Sequence, residues 1–351
     1  MKVTIEERVL HFKQPAGTSR GVYTERRIWL VTVTDGEAVG RGECAPLPDL
    51  SCDARVDYGE VLRGFCDQLE QTGEIDYEAM RDFPSMLFGL ETALLEVRGK
   101  RLEVKGKRSG LPILFDTAFC RGEVGIPING LVWMGNHDEM LQRMEEKLEQ
   151  GFRCVKLKIG AIDFDQELDL VKRIRERFSF HEVELRLDAN GAFKPDEALY
   201  KLELLSQYAI HSIEQPIRQG QWAYMAELCR ESPLPIALDE ELIGVNDREM
   251  KSHLLNIIKP AYIILKPSLH GGMAGCREWI EAARQHDVGS WITSALESNV
   301  GLNAIAQFCS AVYGDNITMP QGLGTGQLFT DNIPMPLEIR NNQLWRFADE
   351  S

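Results

Sequence analysis

The sequence predicts an α/β protein, a (β/α)8-type barrel that follows an N-terminal α+β domain. Eight strand-like runs between residues 125 and 322 alternate with amphipathic helical stretches, which is the pattern of β/α units. Charged residues stand near the ends of successive runs, as expected where strand ends meet at one rim of a barrel. Residues 1–120 begin instead with antiparallel-looking strands. A doubly wound sheet shares the local pattern and stays open as the structural alternative.

The first 120 residues are predicted to form a separate α+β capping domain. Strand-like residues run through RRIWLVTVTDGEAVGRGECAPLP (26–48), and helical stretches follow near 55–72 and 85–99. Two segments rich in Gly and Pro are predicted loops, 13–24 and 44–53.

The C-terminal tail is predicted to return to this domain. PLEIRNNQLWRF (336–347) has the pattern of two strands joined by an Asn-Asn turn. We therefore assign residues 1–120, completed by 325–351, to the capping domain and residues 121–324 to the barrel.

The predicted barrel strands are short apolar runs with helical stretches between most of them, such as 165–178, 194–208 and 273–286. The eight runs are GIPING (125–130), RCVKLKIG (153–160), VELRLDA (183–189), AIHSIEQP (209–216), LPIALDE (234–240), AYIILKP (261–267), GSWITSA (289–295) and NITMPQG (316–322).

Composition excludes several classes of protein. The formal net charge of -15 disfavours nucleic acid as a partner, because an acidic surface repels phosphates. No apolar run approaches the roughly 20 residues of a membrane helix, and the N-terminus lacks the apolar stretch of a signal peptide. The eight cysteines form no CxxC pair and indicate neither a disulfide framework nor a zinc site. We expect a reduced, cytoplasmic protein; the sequence does not predict its oligomeric state.

One charged residue, or a pair, stands late in each of five consecutive barrel runs. Alternation along the strands places the charged side chains on one face and the apolar side chains on the other. The spacing between neighbouring units is 25 to 30 residues, about one β/α unit. We therefore expect these side chains to meet at the C-terminal rim of the barrel. They are Lys156 and Lys158, Asp188, Glu214, Asp239 and Lys266.

Three of these residues, Asp188, Glu214 and Asp239, are carboxylates that would repel one another unless a cation binds. All-oxygen ligands favour a hard ion such as Mg²⁺, which keeps room for water or substrate oxygens. Each carboxylate alone could instead cap a helix or pair with a surface lysine. Their position on three consecutive units, with lysines on the units at either side, favours a magnesium site.

The two lysines of "CVKLKIG" point to the same side of their strand. A like charge beside a lysine disfavours its ammonium form, which suits proton transfer. Lys158, nearer the strand end, is the predicted base. Lys156 lies one layer deeper and would either assist its neighbour or bind a substrate carboxylate, while Lys266 faces them across the mouth. A metal and lysines around a carboxylate substrate are suited to removing the adjacent proton.

Six motifs in this order, VKLKIG, LRLDANGAF, IEQPI, ALDE, ILKPS and TSALESNVGLNAIAQ, resemble the enolase superfamily, in its muconate-lactonizing-enzyme-like subgroup. Within that subgroup the chain is most similar to the o-succinylbenzoate synthase family. The resemblance spans the whole chain and implies a modified TIM barrel with an N-terminal capping domain. It also implies one Mg²⁺, with Mn²⁺ as a substitute, on Asp188, Glu214 and Asp239. Lys158 would be the acid/base with Lys156 as its partner, and Lys266 would face the substrate.

The reaction that the resemblance implies is dehydration of a small carboxylate, 2-succinyl-6-hydroxy-2,4-cyclohexadiene-1-carboxylate, in menaquinone biosynthesis. An N-acylamino acid racemase or a muconate-type cycloisomerase of the same superfamily is the alternative, and a non-catalytic binding protein is a third hypothesis. Related racemases and dipeptide epimerases often carry acidic residues at the end of the eighth strand, where this chain has GLGTG (322–326). That difference favours a substrate without a cationic amine. The expected substrate contacts are Ser294, Asn190, Gly322 and Arg20.

Overall fold

The N-terminal part forms an antiparallel sheet of three strands covered by two helices. Here and below, the computed structural model describes residues 1–18, 21–99, 103–104, 107–108, 113–133 and 135–347. The sheet has the order β1-β2-β3, and its register joins Lys2 of β1 to Thr34 of β2. The elements of this cap are β1 (Lys2–Thr18), β2 (Gly21–Thr34), β3 (Val39–Cys44), α1 (Tyr58–Thr72) and α2 (Pro84–Arg98).

Glycines allow α2 to lie directly on β3. A Cβ atom added to Gly42 would stand 1.8 Å from the carbonyl oxygen of Gly89, and one added to Gly40 would stand 2.0 Å from that of Ala93. Any side chain at these two positions would push the helix off the strand. The close approach buries an apolar cluster that includes Leu62, Met86 and Leu90.

The second part is a ring of parallel strands surrounded by helices. Among the described residues, seven strands form one parallel sheet in the order β13-β12-β11-β10-β9-β8-β7. These seven strands, β7 to β13, follow three short strands in the chain. The ten are β4 (Glu103–Val104), β5 (Lys107–Arg108), β6 (Ile126–Pro127), β7 (Gly130–Val132), β8 (Cys154–Lys158), β9 (Glu184–Asp188), β10 (Ser212–Glu214), β11 (Ile236–Leu238), β12 (Tyr262–Leu265) and β13 (Gly289–Ile292).

Amphipathic helices connect these strands and cover the outside of the ring. Their inward faces supply buried residues such as Leu170, Leu202 and Trp279 to the main core. Within the described chain the helices are α3 (His137–Glu149), α4 (Phe164–Arg177), α5 (Pro195–Ser206), α6 (Trp222–Glu231), α7 (Arg248–Ile258), α8 (Gly272–Gln285) and α9 (Asn299–Tyr313). No described helix has both the length and the apolar character needed to cross a bilayer.

The ring closes through the eighth predicted run, residues 316–322, which forms isolated bridges rather than a regular strand. Gln321 pairs with Ile128, and Gly322 pairs with Thr293. Hydrogen bonds from Asn129 N to Gln321 O (3.0 Å) and from Gly322 N to Ile292 O (2.9 Å) join this segment to the first and seventh barrel strands. The predicted α/β class, a (β/α)8-type barrel with an N-terminal capping domain, is therefore confirmed.

A local prediction in the cap differs from the structure. The predicted loop at 13–24 is largely strand, because β1 and β2 keep pairing to Thr18 and Gly21, with a register shift between His11 and Ala16 that absorbs Pro15. Arg20 lies outside the described residues.

The C-terminal tail reaches both parts of the chain. Residues 328–331 pair with β1, through the bridge from Phe12 to Phe329. The predicted hairpin forms as β14 (Leu337–Arg340) and β15 (Gln343–Arg346), but β15 pairs with β6 at the barrel and not with the cap sheet. The division into 1–120 with 325–351 and 121–324 remains our proposal.

A buried carboxyl between the cap and the barrel predicts an unusual pH dependence of stability. Glu91 of α2 accepts hydrogen bonds from Met273 N (2.5 Å) and Ala274 N (3.0 Å) at the start of α8. Burial raises the pKa of Glu91 from 4.5 to about 7, although these two N–H groups oppose the shift. Because the folded state then holds the proton more tightly than the unfolded chain, ionisation destabilises the fold as pH rises from 4.5 to 7.

We expect the Glu91→Gln variant to lose less stability than the wild type between pH 5 and pH 8. The difference in the change of unfolding free energy should be on the order of 1–3 kcal/mol. Urea unfolding at four pH values measures it, and Glu37→Gln in an exposed turn is the control expected to follow the wild type. Parallel curves for wild type and Glu91→Gln would contradict this assignment.

Candidate active site

A cavity of about 710 Å³ opens at the C-terminal ends of the barrel strands. The cap contributes Tyr23, Leu47 and Leu50 to its wall. The barrel contributes the following predicted site residues, which therefore share one cavity: Lys156, Lys158, Asp188, Asn190, Lys266, Ser294 and Gly322. Glu214 and Asp239 lie beneath this wall and are buried.

β8 places Lys156 and Lys158 on the inner face of the barrel, as the sequence alternation predicts. The residues between and beside them, Val155 and Leu157, are fully buried in the outer core. In the parallel register Lys158 stands beside Asp188 of β9. The Lys158 ammonium lies 3.2 Å from Asp188 Oδ2 and donates a hydrogen bond to Asn190 Oδ1 at 2.8 Å.

Lys156 lies between two of the predicted metal ligands. Its ammonium is 2.9 Å from Asp188 Oδ2 and 2.5 Å from Glu214 Oε2. Burial opposes the charged form of Lys156, but Asp188, Glu214 and Asp239 outweigh it and raise the pKa of this lysine. For Asp188, burial is likewise outweighed by Lys156 and Lys158, which hold the pKa of its carboxyl below the usual value. In this arrangement Lys156 neutralises carboxylates.

Asp239 and Lys266 form an ion pair on the other side of the mouth. Asp239 follows β11 directly, and Lys266 follows β12. Burial disfavours the charged form of both groups, but their mutual attraction lowers the pKa of Asp239 and, with Glu214, raises that of Lys266. β8 and β12 are four places apart in the strand order, so Lys158 and Lys266 face each other across the barrel.

Glu240 is a fourth buried carboxyl in the site that the sequence analysis did not single out. Its Oε1 accepts a hydrogen bond from Asn190 Nδ2 at 3.0 Å. Burial, followed by the neighbouring Asp239 and Asp188, raises its pKa to about 7. Asn190, a predicted substrate contact, therefore connects Glu240 to the Lys158 ammonium. The signal was present in the motif ALDE, where a second acid follows Asp239.

The donor set fits a divalent cation. Four carboxyls (Asp188, Glu214, Asp239 and Glu240) face three ammonium groups, so full ionisation leaves one net negative charge. One buried oxygen on each of Glu214, Asp239 and Glu240 has no hydrogen-bond partner among the described residues. Burial and the nearby Asp188 raise the pKa of Glu214 well above its usual value, which shows that negative charge is crowded at this point.

As they stand, Asp188, Glu214 and Asp239 contact lysines, and the carboxyls do not surround a common point. No set of three His, Cys, Asp or Glu side chains within the described ranges has an arrangement ready to hold a metal. A bound Mg²⁺ would therefore take over the neutralising role that Lys156 and Lys266 perform here. The oxygen ligands match the preference of that ion.

Two further predicted contacts lie where the seventh strand meets the barrel's closing segment. Ser294 lines the cavity, and its hydroxyl lies 2.5 Å from that of Thr325. Gly322 accepts hydrogen bonds from Ser294 N (3.2 Å) and from the Thr293 hydroxyl (2.8 Å). Gly322 thus joins the seventh strand to the closing segment as well as facing the cavity.

Any side chain at Gly322 would disturb this closure. A Cβ atom there would stand 2.1 Å from Thr293 Oγ1 and 2.5 Å from Thr293 Cβ. We expect Gly322→Ala to lower the unfolding free energy by about 1–3 kcal/mol and to reduce kcat/KM, because Thr293 and Ser294 must move. Gly324→Ala is the control for stability, since its Cβ would meet Asn129 O and Ile128 at an ordinary 3.6 Å. Equal urea unfolding curves for the two variants would contradict the prediction.

Trp133 is a wall residue that sequence reasoning missed. Its ring lies 5.6 Å from the Lys158 ammonium, close enough for a cation–π contact. Trp133 stands just beyond β7, at the end of a barrel strand like the predicted site residues, so its position in the sequence was a usable signal. It was passed over because it carries no charge.

Comparison with known proteins identifies the family of this chain. Residues 139–345 match the family model "Enolase C-terminal domain-like", and residues 18–97 match "MenC, N-terminal domain". The o-succinylbenzoate synthase of Desulfotalea psychrophila (strain LSv54 / DSM 12343) is 46% identical over 97% of this chain and 97% of its own length. The o-succinylbenzoate synthase of Pasteurella multocida (strain Pm70) is 27% identical over 88% of this chain and 84% of its own length.

Solved structures give the same result. The crystal structure of MenC from Desulfotalea psychrophila LSv54 superposes with a TM-score of 0.81 at 41% identity and covers 98% of this chain and 99% of that chain. A dipeptide epimerase from Enterococcus faecalis V583, complexed with Mg and the dipeptide L-Leu-L-Tyr, has a TM-score of 0.82 at 19% identity over 99% and 97% of the two chains, which supports the fold alone. The chain therefore belongs to the o-succinylbenzoate synthase family of the enolase superfamily.

Proposed function

We propose that this chain is a Mg²⁺-dependent hydro-lyase that converts 2-succinyl-6-hydroxy-2,4-cyclohexadiene-1-carboxylate to o-succinylbenzoate and water, a step of menaquinone biosynthesis. The observation that carries the proposal is the placement of Lys158 and Lys266 on opposite sides of one cavity, with the carboxyls of Asp188, Glu214 and Asp239 between them. The family that the chain belongs to supports the same reaction.

Lys158 performs both proton transfers in this proposal. As a neutral amine it takes the proton α to the ring carboxylate and becomes an ammonium. The ammonium then donates its proton to the departing hydroxyl group, so that water leaves from the same face and the neutral amine is restored. Asn190 Oδ1, at 2.8 Å from Nζ, holds the side chain in place between the two steps.

Lys266 stabilises the charge that develops on the substrate. Loss of the α proton places a second negative charge on the carboxylate oxygens, and an ammonium across the cavity lowers the energy of that enediolate. Asp188, Glu214 and Asp239 would hold Mg²⁺, which when bound supplies further positive charge against the same oxygens. Lys156 is proposed to balance the charge of Asp188 and Glu214 beneath the site.

A turnover assay tests this function. The purified protein with the cyclohexadiene substrate and Mg²⁺ should release o-succinylbenzoate, measured by loss of diene absorbance and by chromatography. EDTA should stop the reaction, and Mg²⁺ or Mn²⁺ should restore it. No turnover of authentic substrate with Mg²⁺ present would refute the proposal. Exchange of the Cα proton of N-succinylamino acids in D₂O, at rates that rival the dehydration, would favour the racemase alternative.

We also propose a cytoplasmic location and a small-molecule carboxylate as the only class of ligand besides the metal. All eight cysteines are free, and most are buried in apolar cores, which suits a reducing compartment. The net charge of -15 argues against nucleic acid. Fractionation of cells with an antibody against the chain tests the location.

A further inference from the structure

Arg26 is a buried cation on an apolar face of the cap sheet. It shares its side of β2 with Ile28 and Leu30, and only 2% of its surface is exposed. The neighbouring Arg27 points the other way and is 58% exposed in its side chain, where it pairs with Glu7. A buried guanidinium is costly unless its donors are satisfied, so the partners of Arg26 indicate its role.

The guanidinium of Arg26 binds four backbone carbonyls, two on each side of the boundary between cap and barrel. On the cap side it donates to Ala45 O (2.5 Å) and to Pro46 O. On the barrel side it donates to Leu296 O (3.1 Å) and Ala295 O (3.3 Å). We call Arg26 and these four carbonyls the Arg26 clamp.

Both segments held by the Arg26 clamp form part of the cavity wall. The cap segment continues into Leu47 and Leu50, and the barrel segment includes Ser294 and Leu296. The clamp therefore fixes the distance between two sides of the cavity mouth, although Arg26 itself does not line the cavity.

Leu296 has a backbone conformation that needs such support. Its φ angle is +62°, in the left-handed region that a leucine rarely adopts. Its side chain is 8% exposed and packs in the cluster shared by cap and barrel. A strained residue of this kind persists only where its surroundings hold it, and the carbonyl of Leu296 is one of the four that Arg26 binds.

Two buried carboxylates, Glu43 and Glu297, also hold this barrel segment. Glu43 of β3 accepts hydrogen bonds from Ser298 N (2.8 Å) and Gly301 N (2.9 Å) at the start of α9. Glu297 accepts from Ala295 N (2.6 Å) and from the Ser268 hydroxyl (2.5 Å). Both attract Arg26 and oppose the effect of burial on its pKa, so the cation also balances their charge.

We propose that Arg26 is a positioning residue for substrate binding, which holds Leu296 on the cavity wall by tying the cap segment 45–50 to the barrel segment 294–298. The inference rests on the proposed function, because its readout is the KM of that reaction. Replacing Arg26 should weaken substrate binding and leave the chemical step unchanged, since Lys158 and Lys266 are not touched.

The first test compares Arg26→Lys with Arg27→Lys. A lysine keeps the charge but has a single donor group that does not span four carbonyls. We expect Arg26→Lys to raise KM about tenfold with kcat within about twofold of wild type. This is the pattern for loss of an interaction that stabilises the bound substrate and the transition state equally. Arg27→Lys should match the wild type. A folded Arg26→Lys protein with wild-type KM, whether or not its unfolding free energy falls, would reduce the clamp to a structural contact and overturn the inference.

A double-mutant cycle with Leu296→Gly tests whether Arg26 affects substrate binding through Leu296. Glycine adopts the same φ without strain and removes the side chain that the clamp is proposed to position. Arg26→Lys should therefore change KM less than about twofold in the Leu296→Gly background, while each single variant raises it. Additive effects would contradict the inference. If the Arg26→Lys protein does not fold, the Leu296→Gly variant alone is the test, and a wild-type KM for Leu296→Gly overturns the inference. A wild type without turnover would instead refute the proposed function.

Discussion

Lys158→Ala should abolish dehydration while leaving the fold intact. One general acid/base group contributes roughly 10²–10⁴-fold, and Lys158 is proposed to serve in both proton transfers, so we expect a loss at the upper end of that range or beyond. The fold should survive, because Asp188 keeps Lys156 at 2.9 Å as a charge partner. Steady-state kinetics with a sensitive product assay measures the loss, and a urea unfolding curve confirms the fold.

Two companion variants separate proton transfer from simple charge. Lys158→Arg keeps a cation near Asp188 but does not deprotonate at working pH, so it should be as inactive as Lys158→Ala. Lys172→Ala, on the exposed face of α4, should behave as wild type. Near-native turnover by Lys158→Ala would show that the base is misassigned, and activity restored by arginine would reassign Lys158 to an electrostatic role.

Asp239→Asn should weaken Mg²⁺ binding and lower activity together. The change removes one of the three negative charges proposed to hold the ion and breaks the ion pair with Lys266. Loss of groups that merely support a metal ligand costs about 10–100-fold in affinity, so we expect a loss of at least that size for the ligand itself. Calorimetric titration of the metal-free protein with Mg²⁺ measures it without reference to turnover.

The control for this prediction is Asp196→Asn, an exposed aspartate in the first turn of α5. It should leave Mg²⁺ affinity unchanged. Activity of Asp239→Asn should recover in part at high Mg²⁺ if weak binding causes the loss. An affinity equal to that of the wild type would remove Asp239 from the proposed ligand set.

The barrel and its charged strand ends were predictable because a two-residue period and a β/α repeat are local properties of the sequence. Alternation placed Lys156 and Lys158 inward, and parallel register brings Asp188 beside Lys158 and Glu214 beside Asp188. The closing segment did not form a regular strand. Its bridges to Ile128 and Thr293 depend on the ring being complete, which no local pattern encodes.

The parts of the site that escaped prediction depend on tertiary contacts. From the sequence, Glu240, which follows Asp239, could point into the barrel mouth or away from it. Its hydrogen bond to Asn190 shows that it points into the site. Arg26 and Arg27 are adjacent arginines in a strand, and in the sequence both look like solvated residues. The structure leaves Arg27 exposed but buries Arg26. The left-handed backbone of Leu296 has no sequence signature, since leucine is unfavourable there.

The Gly and Pro residues of segment 13–24 led to the wrong prediction of a loop. Gly and Pro usually mark turns, but here β1 and β2 continue as a long ribbon, and Tyr23 at its side reaches the cavity. The Asn-Asn turn of the tail was predictable because Asn341 adopts a φ of +55° that asparagine tolerates. Its strand partner, β6 instead of the cap, was not, because pairing between distant segments is set by the whole fold.

The most direct test is a crystal structure with Mn²⁺ and o-succinylbenzoate, in which the anomalous signal of manganese locates the ion. We predict one ion per chain, bonded to the carboxylates of Asp188, Glu214 and Asp239, with the Lys158 and Lys266 ammonium groups on opposite faces of the bound product. An ion bound elsewhere, or both lysines on one side of the product, would contradict the account.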